Sequence, residues 1–204
     1  MLLPYLADRD PSADNRQEGR RLHFFDKGET VPLVAQGVWQ VYRGVVQLSK
    51  LHASGDELLL GWAKPLTFFG TWLTCIETYQ AKALSEVYLK WYALSEIETS
   101  PHLAHIVLAG VSRRIRQTEA LLAISGLRRV EERLQELLAL LKLELGQAVA
   151  EGTRLEVRLT HQNIANAIGT TRVTVTRLLG DFQRQGLIAI DGDRHLVLLE
   201  TSVT

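Results

Sequence analysis

The chain has 204 residues, 46% of them hydrophobic and 23% charged, an ordinary globular composition with room for one large core or two smaller ones. Its 23 basic side chains balance 23 acidic ones, so a nucleic-acid-binding role requires positive charge that is local rather than global. Cys75 is the only cysteine, which excludes an internal disulfide, a four-cysteine zinc site and a cysteine-ligated iron–sulfur cluster.

Residues 1 to 20 read as a polar, weakly structured lead-in, because Pro4, Asp10, Pro11, Asp14 and Asn15 break any periodicity. The start has neither the basic flank nor the apolar core of a secretory signal, and nowhere do about 18 apolar residues run together. The expectation is a cytoplasmic protein without a membrane partner. From Leu22 to about Leu94 the chain reads as β-structure. Short apolar stretches alternate with turn signals at Lys27-Gly28, Gln36-Gly37, Arg43-Gly44 and Ser54-Gly55-Asp56. Val38–Leu48, Glu57–Trp62 and Val87–Leu94 are the clearest strand candidates, and closely spaced short strands suggest a sandwich or roll.

The character changes after Pro101. Residues 102 to 125 contain no proline and one glycine, with Leu108, Val111, Ile115 and Leu122 at relative positions 0, 3, 7 and 14. That stripe fits a helix pairing with a second copy of itself, or a helix packed on its own sheet. Gly126 interrupts it. A leucine-rich helix is expected from about Arg128 to Leu145, ended by Gly146, and a polar connection from Gln147 to Thr153 follows.

The segment LTHQNIANAIGTTRVTVTRLLGDFQRQG, residues 159 to 186, carries the function. Thr160 is a natural N-cap for a short helix whose apolar face is Ile164, Ala165 and Ile168. Gly169 permits the positive φ of a tight turn. Thr170 or Thr171 caps the next helix, where Val175, Leu178, Leu179 and Phe182 face inward. Arg172, Val173, Thr174, Thr176 and Arg177 are left on or near the outer side. A helix-turn-helix needs two short helices fixed by a small-residue turn, with the second helix's first residues projecting into the major groove. There arginine can bond guanine bidentately, and valine or threonine methyls can touch the thymine methyl. An ordinary helical hairpin is the competing reading. The flanks favour a wing: Arg154–Leu159 alternates as a strand, and Gly186–Ile190 with His195–Leu199 reads as a hairpin around Asp191-Gly192-Asp193. The expected fold is therefore α+β: an N-terminal β-roll over residues 1–100, a dimerisation helix over 101–126 and a winged helix-turn-helix over 127–204.

The segment resembles the DNA-binding domain of the Crp/Fnr regulators, and within that family the nitrogen regulators of cyanobacteria, on RVTVTRLLGDF. FDKGE, VYRGVVQLS and FFG are similar to the family's effector roll, a cyclic-nucleotide-binding-like jelly roll. The resemblance implies a homodimer on double-stranded, near-palindromic DNA, with RNA polymerase as a protein partner. It places Arg172, Val173 and Arg177 at base-reading positions and Thr160, His161 and Gln162 beside phosphates, with Thr171 and Thr174 as further DNA-binding candidates; His161 reads equally as a solvated polar residue. Leu108, Val111, Ile115 and Leu122 become the dimer seam.

Cyclic-nucleotide members carry a Gly-Glu pair and, about ten residues on, an Arg-Ser pair. Here Phe69-Gly70-Thr71-Trp72 and Gln80-Ala81-Lys82-Ala83 lack both, and lysine is no substitute for a bidentate guanidinium, which argues against cyclic AMP. The nitrogen regulators sense 2-oxoglutarate. The matching positions are Phe69, Gly70, Thr71, Trp72, Lys82 and Arg128, with Lys82 in place of arginine and Trp72 bulkier than the usual aliphatic. A dicarboxylate held by charge pairing and an effector-free protein with Trp72 filling the pocket both remain open. Cys75 reads as a buried thiol, with haem or redox sensing as the alternative. His23, His52, His102, His105 and His195 show no metal-ligand spacing. With no phosphate loop, nucleophile elbow or metalloprotease motif, the chain is expected not to be an enzyme, and no cofactor is certain. A ligand-binding or scaffold protein whose winged helix contacts protein is the remaining alternative, which outward Arg172 and Arg177 disfavour.

Overall fold

A computed structural model describes residues 22–53 and 55–200; the expected lead-in and Ser54 of one turn lie outside them. The chain forms two compact units, one from the described residues up to Val46 with Ala63–Arg113, the other from Gln47–Trp62 with Arg114 onward.

The first unit is built on antiparallel strands: β1 (His23–Phe25), β2 (Gly37–Arg43), β5 (Phe68–Phe69), β6 (Tyr79–Ala83) and β7 (Val87–Ala93). One sheet runs β1-β7-β2-β5, with Trp39 opposite Trp91 and Val38 opposite Tyr92. Trp39, Val41, Leu89 and Trp91 are buried, and so are Val38 and Tyr92 at the intervening positions, so this pair of strands is covered on both faces. Each large apolar side chain so enclosed contributes on the order of 1.5–3 kcal/mol. A short helix α1 (Leu94–Thr99) follows β7 directly, where the sequence suggested only a boundary. The Glu96 carboxylate accepts from the Ala93 amide at 3.1 Å and starts the turn.

Helix α2 runs Pro101–Ser125. Its inward residues Leu103 and Val107 join Val38, Phe68, Tyr92 and Ile97 in one cluster. Gly110 sits mid-helix, where glycine costs about 1 kcal/mol relative to alanine. The reason is proximity: a β-carbon there would stand 2.6 Å from the Phe68 ring. The helix therefore packs on its own sheet through a stripe that shares only Val111 with the one the heptad spacing selected. Leu108, Ile115 and Leu122 remain 62%, 53% and 71% exposed, and Val111 is half-buried.

The second unit contains strands β3 (Val46–Leu51, from Gln47) and β4 (Glu57–Ala63, to Trp62), the end of α2, and α3 (Val130–Leu145). Leu134, Leu137, Leu138, Leu141 and Leu145 line the buried face of α3 at helical spacing. Strands β8 (Gly146–Val149) and β9 (Gly152–Leu155) occupy the stretch expected as a polar connection. They pair from Gly146 opposite Leu155 to Val149 opposite Gly152. The strand expected to reach Leu159 stops at Leu155 because the Glu156 amide turns back to the Leu145 carbonyl, at 2.8 Å, and Val157 drops into the core. Helices α4 (His161–Ile168) and α5 (Arg172–Arg184) come next, then β10 (Ile188–Ile190) and β11 (Leu196–Leu199). The sheet order β10-β11-β9-β8 gives the pair of helices its wing. The fold is α+β, with N-terminal antiparallel sheets, a long helix and a C-terminal winged helix-turn-helix.

Candidate nucleic-acid interface

Thr160 caps α4 reciprocally. Its hydroxyl accepts from the Asn163 amide at 3.1 Å, and Asn163 Oδ1 accepts from the Thr160 amide at 2.9 Å. Asparagine thus fills the place that glutamate or glutamine takes in the usual capping box. Asn163 Nδ2 also donates to Gln47 Oε1 on β3, at 3.3 Å, a link between residues 116 positions apart that sequence reading could not have found. Gly169 closes α4 in the left-handed conformation, φ 61° and ψ 51°. Arg133 of α3 donates to the Ile168 carbonyl at 2.6 Å, meeting the negative end of α4 with a positive group. Of the two candidate caps for α5, Thr171 takes the role: its hydroxyl accepts from the Thr174 amide at 3.2 Å.

Ile164, Ala165 and Ile168 of α4 and Val175, Leu178, Leu179 and Phe182 of α5 are buried. That burial fixes which side of α5 is left outside. Arg172, Val173, Thr176 and Arg177 are exposed, and Thr174 is half-buried. Val173 is 78% exposed, an apolar side chain with no interior role. Thr160, Gln162 and Thr171 are exposed and His161 is half-buried, near the N-termini of the two helices, where unpaired amides and the helix dipole favour anions.

His161 is more than a solvated side chain. Its Nδ1 lies 2.7 Å from Thr176 Oγ1, and that hydroxyl donates to the Arg172 carbonyl at 2.9 Å. A hydroxyl has one proton, so Nδ1 must be the donor to Thr176, which leaves Nε2 for another partner. The interaction also ties α4 to the outer face of α5.

Asp181 was not singled out by the sequence reading. It accepts from Arg177 Nη1 at 3.2 Å and also pairs with Arg184. The available signal was an acid four residues after an arginine expected to read bases.

The wing is braced by ions. Arg154 Nε donates to Asp191 Oδ2 at 2.5 Å, and its Nη2 reaches Asp193 at 3.4 Å. Asp191 Oδ1 accepts from the Asp193 and His195 amides at 3.0 and 2.8 Å. The Arg154 hydrogen bond, followed by the His195 amide, holds the Asp191 carboxyl below its ordinary value. His195 Nδ1 donates to the Leu155 carbonyl at 2.7 Å, so this histidine is structural.

The candidate effector residues are divided between the units. Phe69, Gly70, Thr71, Trp72 and Lys82 belong to the first, and Arg128 to the second. Phe69 is buried, whereas Lys82 and Arg128 are exposed. Trp72 is 50% exposed, so it is not a plug in the core. Thr71 Oγ1 is buried and has no hydrogen-bond partner among the described residues. Cys75 is exposed, correcting the expectation of a buried thiol. His23 packs edge-on to Trp39, 5.0 Å between ring centroids, and His52, His102 and His105 are exposed. Among the described residues no group of three or more His, Cys, Asp or Glu is arranged to hold a metal, and no helix is long and apolar enough to cross a membrane.

Residues 132–202 match the Crp-like helix-turn-helix domain. The chain is 34% identical over 185 residues to the global nitrogen regulator of Synechococcus elongatus, covering 85% of this chain and 83% of that one. It is 35% identical over 190 residues to the regulatory protein CysR of the same species, covering 92% and 85%. Among solved structures, a CRP-family transcriptional regulator of Thermus thermophilus superposes with a TM-score of 0.74 at 24% identity, over 87% of this chain and 92% of that one. With a helix-turn-helix whose outer face carries the arginines, and relatives above 30% identity along most of its length, the chain belongs to the Crp/Fnr family of transcription regulators.

Proposed function

We propose that this regulator binds a specific, near-palindromic DNA sequence as a homodimer and that a small acid such as 2-oxoglutarate modulates it. The carrying observation is the outer face of α5, where Arg172, Val173 and Arg177 stand exposed over a helix whose other face is fully used in packing. Arg172 and Arg177 read guanine edges, and Val173 and Thr174 supply methyl contacts for thymine. Thr160, His161, Gln162 and Thr171 hold phosphates and set the register, since phosphate contacts position while base contacts specify.

Two recognition helices need a dimer to present them one helical turn apart on the duplex. The stripe of Leu108, Val111, Ile115 and Leu122 supports this, because three of its four members are more than half exposed and recur at coiled-coil spacing. On this reading residues 1–100 sense, 101–126 dimerise and 127–204 bind DNA, in the cytoplasm, with RNA polymerase as the further partner. No catalytic step is assigned to any residue. The effector reading is supported by the buried, unpartnered Thr71 hydroxyl beside Gly70, with Lys82 of the same unit supplying positive charge. Effector binding shifts the population between DNA-competent and incompetent arrangements through the turn at 126–129.

The test is selection of bound sequences from a random duplex pool, with and without 2-oxoglutarate. A palindrome enriched more strongly with the ligand is expected. A palindrome indifferent to it retires the effector and keeps the regulator. No enriched sequence under either condition removes the DNA-reading assignment.

A further inference from the structure

Asp181 is the one acid on α5, a helix that otherwise presents arginines, small polar groups and Val173 to the outside. A carboxylate on a surface meant to meet phosphates weakens the attraction, so its presence needs a compensating role. Helix stability does not supply one through Arg177. In an i,i+4 pair the favourable order puts the acid before the base; here Arg177 precedes Asp181, and the acid lies in the half of the helix where the dipole disfavours it.

The geometry supplies a different role. Arg184 pairs with Asp181 in the favourable order, and Asp181 in turn accepts from Arg177 Nη1 at 3.2 Å. The Asp181 side chain is 27% exposed against 66% for Arg177 and 75% for Arg184. The less mobile carboxylate therefore anchors two longer side chains. A guanidinium has five N–H donors in a rigid plane. Committing one to Asp181 leaves the Nε and Nη2 edge for a bidentate contact, and it removes the rotational freedom that a lysine-like point charge would keep.

We propose that Asp181 is a specificity-determining residue that works through Arg177. It orients the guanidinium toward one base edge, and by neutralising that charge it discourages Arg177 from binding any nearby phosphate. Discrimination rises at both ends: the chosen base pair is bound better, and random duplex is bound less. The proposal rests on α5 entering the major groove, and it deepens that reading by dividing the arginines into one with a carboxylate buttress and one, Arg172, that no carboxylate in the described residues is shown to pair with.

The test uses the full-length protein and three duplexes: the selected operator, the operator with the base pair read by Arg177 replaced, and a scrambled sequence. The pair in question is the one at which Arg177→Ala loses its preference. Asp181→Ala is expected to lower discrimination at that pair about tenfold, within the range of one good bidentate contact. It is expected to tighten binding to scrambled duplex several-fold and to steepen the salt dependence by about one phosphate equivalent. In an Arg177→Ala background, Asp181→Ala is expected to change nothing at that pair, because the coupling partner is gone. Asp181→Glu, which keeps the charge, should retain most of the discrimination. Circular dichroism checks folding, and Asp181→Asn replaces the alanine variant if that one is unfolded. Unchanged discrimination in Asp181→Ala overturns the proposal, as does equal weakening on all three duplexes, or the same loss with Arg177 absent. If the parent selects no sequence at all, the groove reading fails first; if it does and these results follow, only the role of Asp181 falls.

Discussion

Gly169→Ala tests the turn that aims α5. Gly169 has φ 61° and ψ 51°, and a β-carbon built there meets only Arg133 Nη1, at 3.5 Å. That is ordinary contact with the end of a flexible side chain, so crowding contributes little. The cost is that of a β-carbon in the left-handed region, about 1–2 kcal/mol. Alanine also reduces the freedom of the unfolded chain, which offsets about 0.4–1 kcal/mol. The expected net destabilisation is about 1 kcal/mol, and Gly169→Asn should lose less, because asparagine visits this region more readily. Gly186→Ala is the matched control: its φ is 70°, and nothing lies within 4 Å of the added carbon. Both alanine variants should lose similar stability in urea unfolding followed by circular dichroism, with amide exchange of α4 and α5 separating their unit from the other. Only Gly169→Ala should also weaken operator binding, since only that turn lies between the two helices proposed to face phosphates and read bases. Unchanged or increased stability of Gly169→Ala would refute the left-handed turn.

Arg172→Ala and Arg177→Ala should each cost about 1–3 kcal/mol of operator affinity and relax preference at one base pair, read by fluorescence anisotropy; parental affinity in both would remove α5 from the groove. Ile115→Glu and Leu122→Glu should convert the proposed dimer to monomer at micromolar concentration in sedimentation, because each would bury a charge twice across a symmetric seam. A dimer that survives both changes lies elsewhere on the surface. The wing should weaken in acid. Asp191 has a carboxyl depressed in the folded state, so its bracing is fully present above the ordinary value of 3.8 and is lost as pH falls through the folded one. Amide exchange in β10 and β11 should speed up in that acid window, and Asp191→Asn should remove the dependence; the same acceleration in the variant would assign it to another group.

The C-terminal unit was legible where its signals are local. A cap, a glycine and a second cap mark α4 and α5 within 12 residues, and threonine and glycine act there through their own backbone neighbourhoods. Only Thr170 against Thr171 needed the structure, which chose Thr171 by its bond to the Thr174 amide. Strand β8 was missed, and β9 was placed two residues too late, because four-residue strands are too short for alternation to rise above a polar background, even though the two pair as a local hairpin. The heptad stripe on α2 was visible, but the second stripe through Leu103 and Val107 was not, because the two overlap on one helix and only packing assigns each its side. Gly110 gave no local signal of its role, which is to leave space for the Phe68 ring. The links of Gln47 to Asn163 and of Gln117 to the Trp62 amide join distant residues with no local signature.

The balance of charge now has a local explanation. From Arg154 onward the chain carries six arginines and five acids. Arg154 is engaged by Asp191 and Asp193, and Arg177 and Arg184 by Asp181. Three of the five acids thus serve as partners for arginines on the wing and the recognition helix. A duplex of arbitrary sequence must compete with those carboxylates and offers only phosphate in return, so counterion release, the main source of nonspecific affinity, is reduced. A duplex that offers a base edge as well as phosphate can offset the loss. A near-neutral DNA-binding domain is therefore not a weak version of a basic one: it forgoes general attraction, and on the proposed reading its occupancy depends on the positioned contacts of Arg172, Val173 and Arg177.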